Sequence, residues 1–353
     1  DTAWGRCRRV ALFAVWAVVL GAMMAGTIAR NQVWQDVIGL WTDVIVKSPM
    51  EPRGWNNRGK EYVTMGLSDE TRRDEYLEKG MQDYKIAVGR AQHFVEVLNN
   101  LGNLYVELGQ RQPALAYLTK AIELRKGMPI FCYNRAVAFE QFNDLESAIA
   151  DYTHAITIND EFAGAYFNRG VVLGQIGETR RAIDDFSRVI ALQSDNSAAY
   201  LNRGDAHMQL GQLNLALRDF DEVIRLDPDM EQAYYNRAGT YSQLGEAQQA
   251  LQDYNRAIEI GDLDLAYYNR GNIYMNREDY VRAIEDFSKA IEKNPLNTGA
   301  LNNRALCYMG VNDVDKAFAD FDRAIKSDPK SAIVYVCRGN ADRKSTRLNS
   351  SHW

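Results

Sequence analysis

Eight asparagines recur along the chain, Asn57, Asn100, Asn134, Asn168, Asn202, Asn236, Asn269 and Asn303, at steps of 43, 34, 34, 34, 34, 33 and 34 residues. Each amide offers both a donor and an acceptor. A row of them can pair with the N–H and C=O groups of an extended peptide without reading its side chains. The same amides can instead bond neighbouring helix backbone and stiffen their own scaffold, and the spacing leaves both readings open. An arginine follows most of these asparagines: Arg58, Arg135, Arg169, Arg203, Arg237, Arg270 and Arg304. Aspartates recur in the same units: Asp83, Asp151, Asp185, Asp219, Asp253, Asp286 and Asp320. The one unit with Leu101 in place of arginine has Tyr117 in place of aspartate. Their joint loss predicts an Arg–Asp pair inside each unit, a bidentate fork that fixes the angle between two elements. The alternative is an arginine row that binds an anionic ligand.

Little else has the chemistry of a reaction centre. Four cysteines and four histidines are scattered without ligand spacing, so no metal and no cofactor are expected. Adjacent carboxylates such as Asp184 and Asp185 diverge on a helix. No nucleophile, base and orienting group recur at workable spacing, so no catalytic residue is expected.

The elements that must position these residues follow from the period. The motif Y-x-N-R-G appears as AYFNRG at 165, AYLNRG at 199 and AYYNRG at 266. Seventeen residues after most of the asparagines comes D-[FY]-x-x-[AV]-I. Each unit therefore reads as two amphipathic helices of about 13 residues, with glycine often in the turn (Gly177, Gly211, Gly245) and proline often after the second helix (Pro228, Pro295, Pro329). Over residues 53–341 this resembles the tetratricopeptide repeat, a 34-residue helix–turn–helix. The resemblance implies an all-α fold, a right-handed superhelical solenoid of about eight repeats with a ninth interrupted. With the asparagine at repeat position 6, aromatics fall at position 4, glycines at position 8 and alanines at position 20. The first repeat carries about nine extra residues in or near 67–80, and one residue is missing at IGDLDL. LWTDVIVKSP (40–49) aligns with a second helix, so residues 34–48 are expected to form a half-repeat cap.

In the first helix, positions 4, 8 and 11 form one packing stripe. Position 6 lies about 200° around the helix from position 4, on the side of positions 2, 5, 9 and 13. In the family this is the inner, concave surface. Position 5 supplies Tyr133, Phe167, Tyr235 and Tyr268, and position 13 supplies Gln141, Gln175, Gln209 and Gln243. Aromatics at helical spacing are more often core. Position 5, however, lies about 100° from the packing stripe. With the asparagines these residues form the expected groove, whose chemistry suits a polypeptide, or a glycan, better than a lipid.

The two ends differ from the body. Residues 10–29, VALFAVWAVVLGAMMAGTIA, carry no charge over 20 positions, long enough to span a bilayer as a transmembrane helix. Arg6, Arg8 and Arg9 precede it in a basic segment (1–9), which places the N-terminus inside and the repeats outside, periplasmic or lumenal. A cleaved signal peptide is the alternative. At the other end, DRKSTRLNSSH is similar to the translation of a common sequencing adapter, so residues 342–353 are expected to be a non-native tail. Net charge is −6, but the first 30 residues carry +3 and residues 342–353 carry +2, which leaves −11 on the body. Such a body repels phosphate backbones and disfavours nucleic acid as a partner.

Two functional readings emerge. One is a non-catalytic, membrane-anchored scaffold that binds extended polypeptide. The other rests on the junction residues Arg30, Asn31, Trp34, Leu40, Trp41, Ser48, Pro49 and Asn57. They resemble the passage from last membrane helix to first repeat in polytopic proteins with a glycosyltransferase-like membrane domain, related to protein O-mannosyltransferases. That resemblance implies a substrate-presenting tail, with catalysis upstream of this chain.

Overall fold

Amphipathic stretches about 13 residues long, punctuated by turn residues, fold into paired helices in a computed structural model that describes residues 36–350. Among the described residues there is no strand. The chain divides into two compact units after Ala165. The basic segment 1–9 and the expected membrane helix 10–29 lie outside the described residues. Among those described, no helix is long and apolar enough to cross a membrane.

In the first unit, α1 (Val37–Lys47) is a single helix against the first hairpin, within the stretch expected as a half-repeat cap. Its N-cap Asp36 accepts the Ile38 N–H at 3.1 Å. Three hairpins follow: α2 (Pro52–Ser68) with α3 (Arg73–Arg90), α4 (Val95–Glu107) with α5 (Arg111–Leu124), and α6 (Pro129–Gln141) with α7 (Leu145–Ile158). The extra residues of the first repeat form no separate loop. They lengthen its helices to 17 and 18 residues, against 13 and 14 in α4 and α5, and add a short 3₁₀ turn at Glu70–Arg72.

The second unit takes in most of α8 (Ala163–Gln175), which pairs with α9 (Thr179–Leu192). It continues with α10 (Ser197–Gln209) and α11 (Leu213–Leu226), α12 (Glu231–Gln243) and α13 (Ala247–Gly261), α14 (Asp264–Asn276) and α15 (Tyr280–Lys293), then α16 (Thr298–Gly310) and α17 (Val314–Ser327). Helix α18 (Ala332–Ser350) runs on through the adapter-like residues without the apolar period of the repeats. The missing residue falls after α13, where Asp262 caps the helix in the left-handed region (φ 50°) and α14 starts two positions later.

The hairpins bury nearly the same small set of side chains. Alanine at position 20, as at Ala216 and Ala283, is fully enclosed, and so is the residue at position 24, an aromatic such as Phe220 or Phe287 in most hairpins and Leu118 in α5. Position 8 is kept small, glycine or alanine, to make room for that side chain. A Cβ on Gly204 would sit 2.7 Å from Phe220 Cε1, closer than packed carbon atoms approach. Position 15, the turn between the two helices, has positive φ in seven hairpins. It is glycine at 109, 177, 211 and 245, asparagine at 143 and 312, and glutamate at 278.

Candidate functional site

The first helix of each hairpin (the A helix) carries the groove positions. Its second, the B helix, carries the partner of the arginine. Each of the seven arginines grips the aspartate of its own hairpin through two parallel bonds. Arg58 Nε and Nη2 donate to Asp83 at 2.7 and 2.9 Å, Arg135 to Asp151 at 2.6 and 2.8 Å, and Arg169 to Asp185 at 2.8 and 2.7 Å. Arg203–Asp219, Arg237–Asp253, Arg270–Asp286 and Arg304–Asp320 repeat the geometry. The aspartates are buried, and the fork to Asp185 raises the Arg169 pKa against the opposing effect of its own burial. An aromatic ring covers each guanidinium. Tyrosine at position 4 does so for Arg169, Arg203, Arg237 and Arg270, with Arg203 5.5 Å from the centre of the Tyr200 ring. Trp55 covers Arg58, and Phe139 and Tyr308, at position 11, cover Arg135 and Arg304. In the hairpin without the pair, Leu101 is fully buried and Tyr117 stacks on Tyr105 at 5.7 Å.

Sequence reasoning missed the third bond of this fork. The remaining nitrogen, Nη1, reaches back to position 25 of the preceding B helix. Arg58 meets Thr42, Arg135 meets Thr119 at 2.9 Å, Arg203 meets Ser187 at 3.1 Å, and Arg304 meets Ser288 at 2.9 Å. Arg237 and Arg270 find Asp221 and Asn255 there. The signal was legible: position 25 holds an acceptor wherever such an arginine follows, and the exposed cation Lys85 where Leu101 follows.

The asparagines turn along the stack. Within the first unit, Asn100 Nδ2 donates to Asn56 of the preceding A helix at 3.0 Å, and Asn134 Nδ2 donates to Asn99 at 2.8 Å. Asn57 accepts from Asn56. Within the second unit, Asn236 donates to Asp205, Asn269 to the Tyr235 hydroxyl at 3.0 Å, and Asn303 to Asn272 at 2.8 Å. Asn202 donates to the Ala198 carbonyl of its own helix, and Asn168 is half-buried on α8. These bonds tie one A helix to the one before it, so much of the donor capacity of the row is spent on the scaffold.

The position 5 rings are half-buried. Tyr133 lies 5.7 Å from Tyr152, Phe167 5.8 Å from Phe186, Tyr235 5.9 Å from Tyr254, and Tyr268 5.9 Å from Phe287. Each leans on the position 24 aromatic of its own hairpin, which takes up part of its surface. The position 13 glutamines Gln141, Gln175, Gln209 and Gln243 are exposed.

Concavities recur at equivalent places between successive A helices. In the first unit, one of about 270 Å³ is lined by Asn103, Tyr133, Asn134, Val137 and Gln141 among others. In the second unit, one of about 290 Å³ lies between α8 and α10, against Gln175, Phe186, Asn202, Asp205 and Gln209. Another, of about 500 Å³, lies between α12 and α14, where Gly239 supplies no side chain and Asn269, Asn272 and Asn276 line the wall. Uncharged amides and apolar patches dominate all three. The exception in the second unit is Asp205, whose pKa is pushed up to about 6 by burial, against the lowering effect of the Asn236 hydrogen bond. Among the described residues, no three metal-ligating side chains cluster.

Tetratricopeptide repeat models match residues 95–127, 130–162, 167–231, 201–264, 265–297 and 298–331, together more than half of the chain. No curated protein matches the chain in sequence. Among solved structures, a MamA protein is 26% identical, covering 49% of this chain and 95% of that one, at a TM-score of 0.45. YrrB, described as a TPR protein with an unusual peptide-binding site, is 23% identical over 53% of this chain and 97% of that one, at 0.46. The C-terminal part of a TPR repeat-containing protein from Cytophaga hutchinsonii is 17% identical over 67% and 98%, at 0.56. Of these three, the Cytophaga structure alone exceeds 0.5, and at its identity it speaks to fold only.

Proposed function

The chain belongs to the tetratricopeptide repeat family, and from that premise we propose that the A-helix face of each unit binds an extended, largely uncharged stretch of polypeptide, without catalysis. The observation that carries this reading is the recurrence of one amide-lined concavity at the same repeat positions in both units. A repeating wall matches a ligand that itself repeats, and a peptide backbone does so at every residue. Exposed glutamines at position 13 keep donors and acceptors free for it where the asparagines are engaged within the scaffold. The acidic body surrounds a nearly neutral strip, which favours backbone recognition over charge recognition.

Anchoring through residues 10–29, with the repeats on the extracytoplasmic side, belongs to the same proposal. It rests on the charge-free stretch and the arginines before it. Nothing in the geometry favours the glycosyltransferase-tail reading over a scaffold. The test uses the full chain and fluorescein-labelled ten-residue peptides of alanine, serine and glutamine, followed by anisotropy. Gln175→Ala with Gln209→Ala should weaken binding by about tenfold, two neutral hydrogen bonds' worth. Unchanged affinity in that double variant would remove the groove from consideration.

A further inference from the structure

The second unit contains a carboxylate its fold does not need. Asp185, Asp219, Asp253, Asp286 and Asp320 are buried, and each is held by an arginine fork. Asp205 is different. It stands at position 9 of α10, half-buried in the wall of the 290 Å³ concavity, and accepts a hydrogen bond from Asn236. Among the described residues no lysine, arginine or histidine pairs with it. An asparagine at this place would accept the same hydrogen bond with a side chain of the same shape. The negative charge therefore adds nothing to the stack and carries a desolvation cost.

The charge is also solitary along the strip. At positions 5, 6, 9 and 13 of α8, α10, α12, α14 and α16, Asp205 is the one charged residue. Around it stand the exposed amides of Gln175 and Gln209, above the buried Phe186 ring. Amide acceptors and one carboxylate make a receptor for a planar cation that donates several hydrogen bonds. A metal ion would want further anionic ligands, which are absent from the lining. The volume falls below that of a small-molecule site and suits a single long side chain.

We infer that Asp205 is a specificity-determining residue, which admits one arginine side chain of a bound polypeptide into the concavity between α8 and α10 and so fixes the register of that segment. This rests on the peptide-binding reading of the A-helix face. It adds a preference at one point of an otherwise sequence-tolerant strip.

The experiment separates the two. Three fluorescein-labelled ten-residue alanine–serine–glutamine peptides differ at one central residue: arginine, citrulline or glutamate. Citrulline keeps the shape of arginine and removes its charge. The full chain should bind the arginine peptide about tenfold more tightly than the citrulline peptide, and the glutamate peptide weakest, as expected for one charge-assisted pair. Asp205→Asn should bring arginine and citrulline to equal affinity and leave the citrulline peptide within about twofold of its wild-type affinity. Equal binding of arginine and citrulline by the unaltered chain would overturn this inference and leave the groove standing. A preference for arginine that persists in Asp205→Asn would overturn it too. No binding of any of the three would overturn both readings.

Discussion

At the scale of single residues, the arginine fork makes a stability argument that can be checked. Removing one partner of a buried pair leaves an uncompensated charge, at a cost of roughly 3–5 kcal/mol. Arg169→Leu should fall in that range by denaturant unfolding, because it strands Asp185. The double variant Arg169→Leu with Asp185→Tyr copies Leu101 and Tyr117 and should cost much less. Equal losses in the single and double variants would sink the pairing argument. Asp205 makes the opposite case. Its native pKa of about 6 lies above the usual unfolded value, so the ionised form is disfavoured in the folded protein. The penalty is full above that pH. It is relieved as pH falls through 6 towards 4, where the native protein takes up a proton and the unfolded chain has not yet done so. Asp205→Asn should therefore raise stability by about 1–3 kcal/mol at pH 7.5, a gain that fades near pH 4. A gain independent of pH would point to packing. Of these two features, only the fork was legible beforehand. Arg and Asp vary together in sequence, whereas the isolation of Asp205 depends on which helix faces adjoin, and a one-dimensional pattern does not show that.

At the scale of elements, the hairpin turn at position 15 must pass through the left-handed region, which glycine enters without penalty and a side chain enters at about 1 kcal/mol. Glu278 occupies it at φ 61°. Glu278→Gly should raise the melting temperature, with a gain of roughly 0.5–1 kcal/mol, and Gly211→Ala should lower it by a similar amount. An unmoved midpoint in both would mean that the turn relaxes elsewhere. Hairpins themselves were readable from the apolar period and the turn glycines. The fate of the first repeat's extra residues was not. A charged run such as LSDETRRDEYLEKG looks like a loop, yet its additional turns are added in register to α2 and α3, where Leu77 and Tyr76 still find a buried side. The position 5 rings were also only half legible. Helix geometry gives the angle at which Tyr235 leaves its axis, but not that Tyr254 of the same hairpin is close enough to lean on.

At the scale of the whole molecule, successive hairpins within each unit pack on one another, so the stability of a unit is close to a sum of hairpin and interface terms. Destabilising one end should then leave distant hairpins untouched. Arg304→Leu should speed amide hydrogen exchange in α16 and α17 while α4 and α5 keep their protection. A uniform loss of protection would mean global cooperativity. Besides the asparagine bonds between A helices, neighbouring hairpins within a unit are joined in two ways. Most have the reach-back from Arg Nη1 to position 25, a directional bond that tolerates little change of angle. Where Leu101 follows Lys85, that bond is replaced by apolar contact among Leu77, Tyr84, Val97 and Leu101. Apolar contact is non-directional and survives small rotations. In the first unit this joint keeps the Asn100–Asn56 bond between A helices but lacks the arginine bond between a B helix and the next A helix, so bending is easier there. Load applied along the first unit would flex the seam between α3 and α4 before the joints held by Arg58 and Arg135, and a partner that needs this unit to change curvature would find its compliance at that seam.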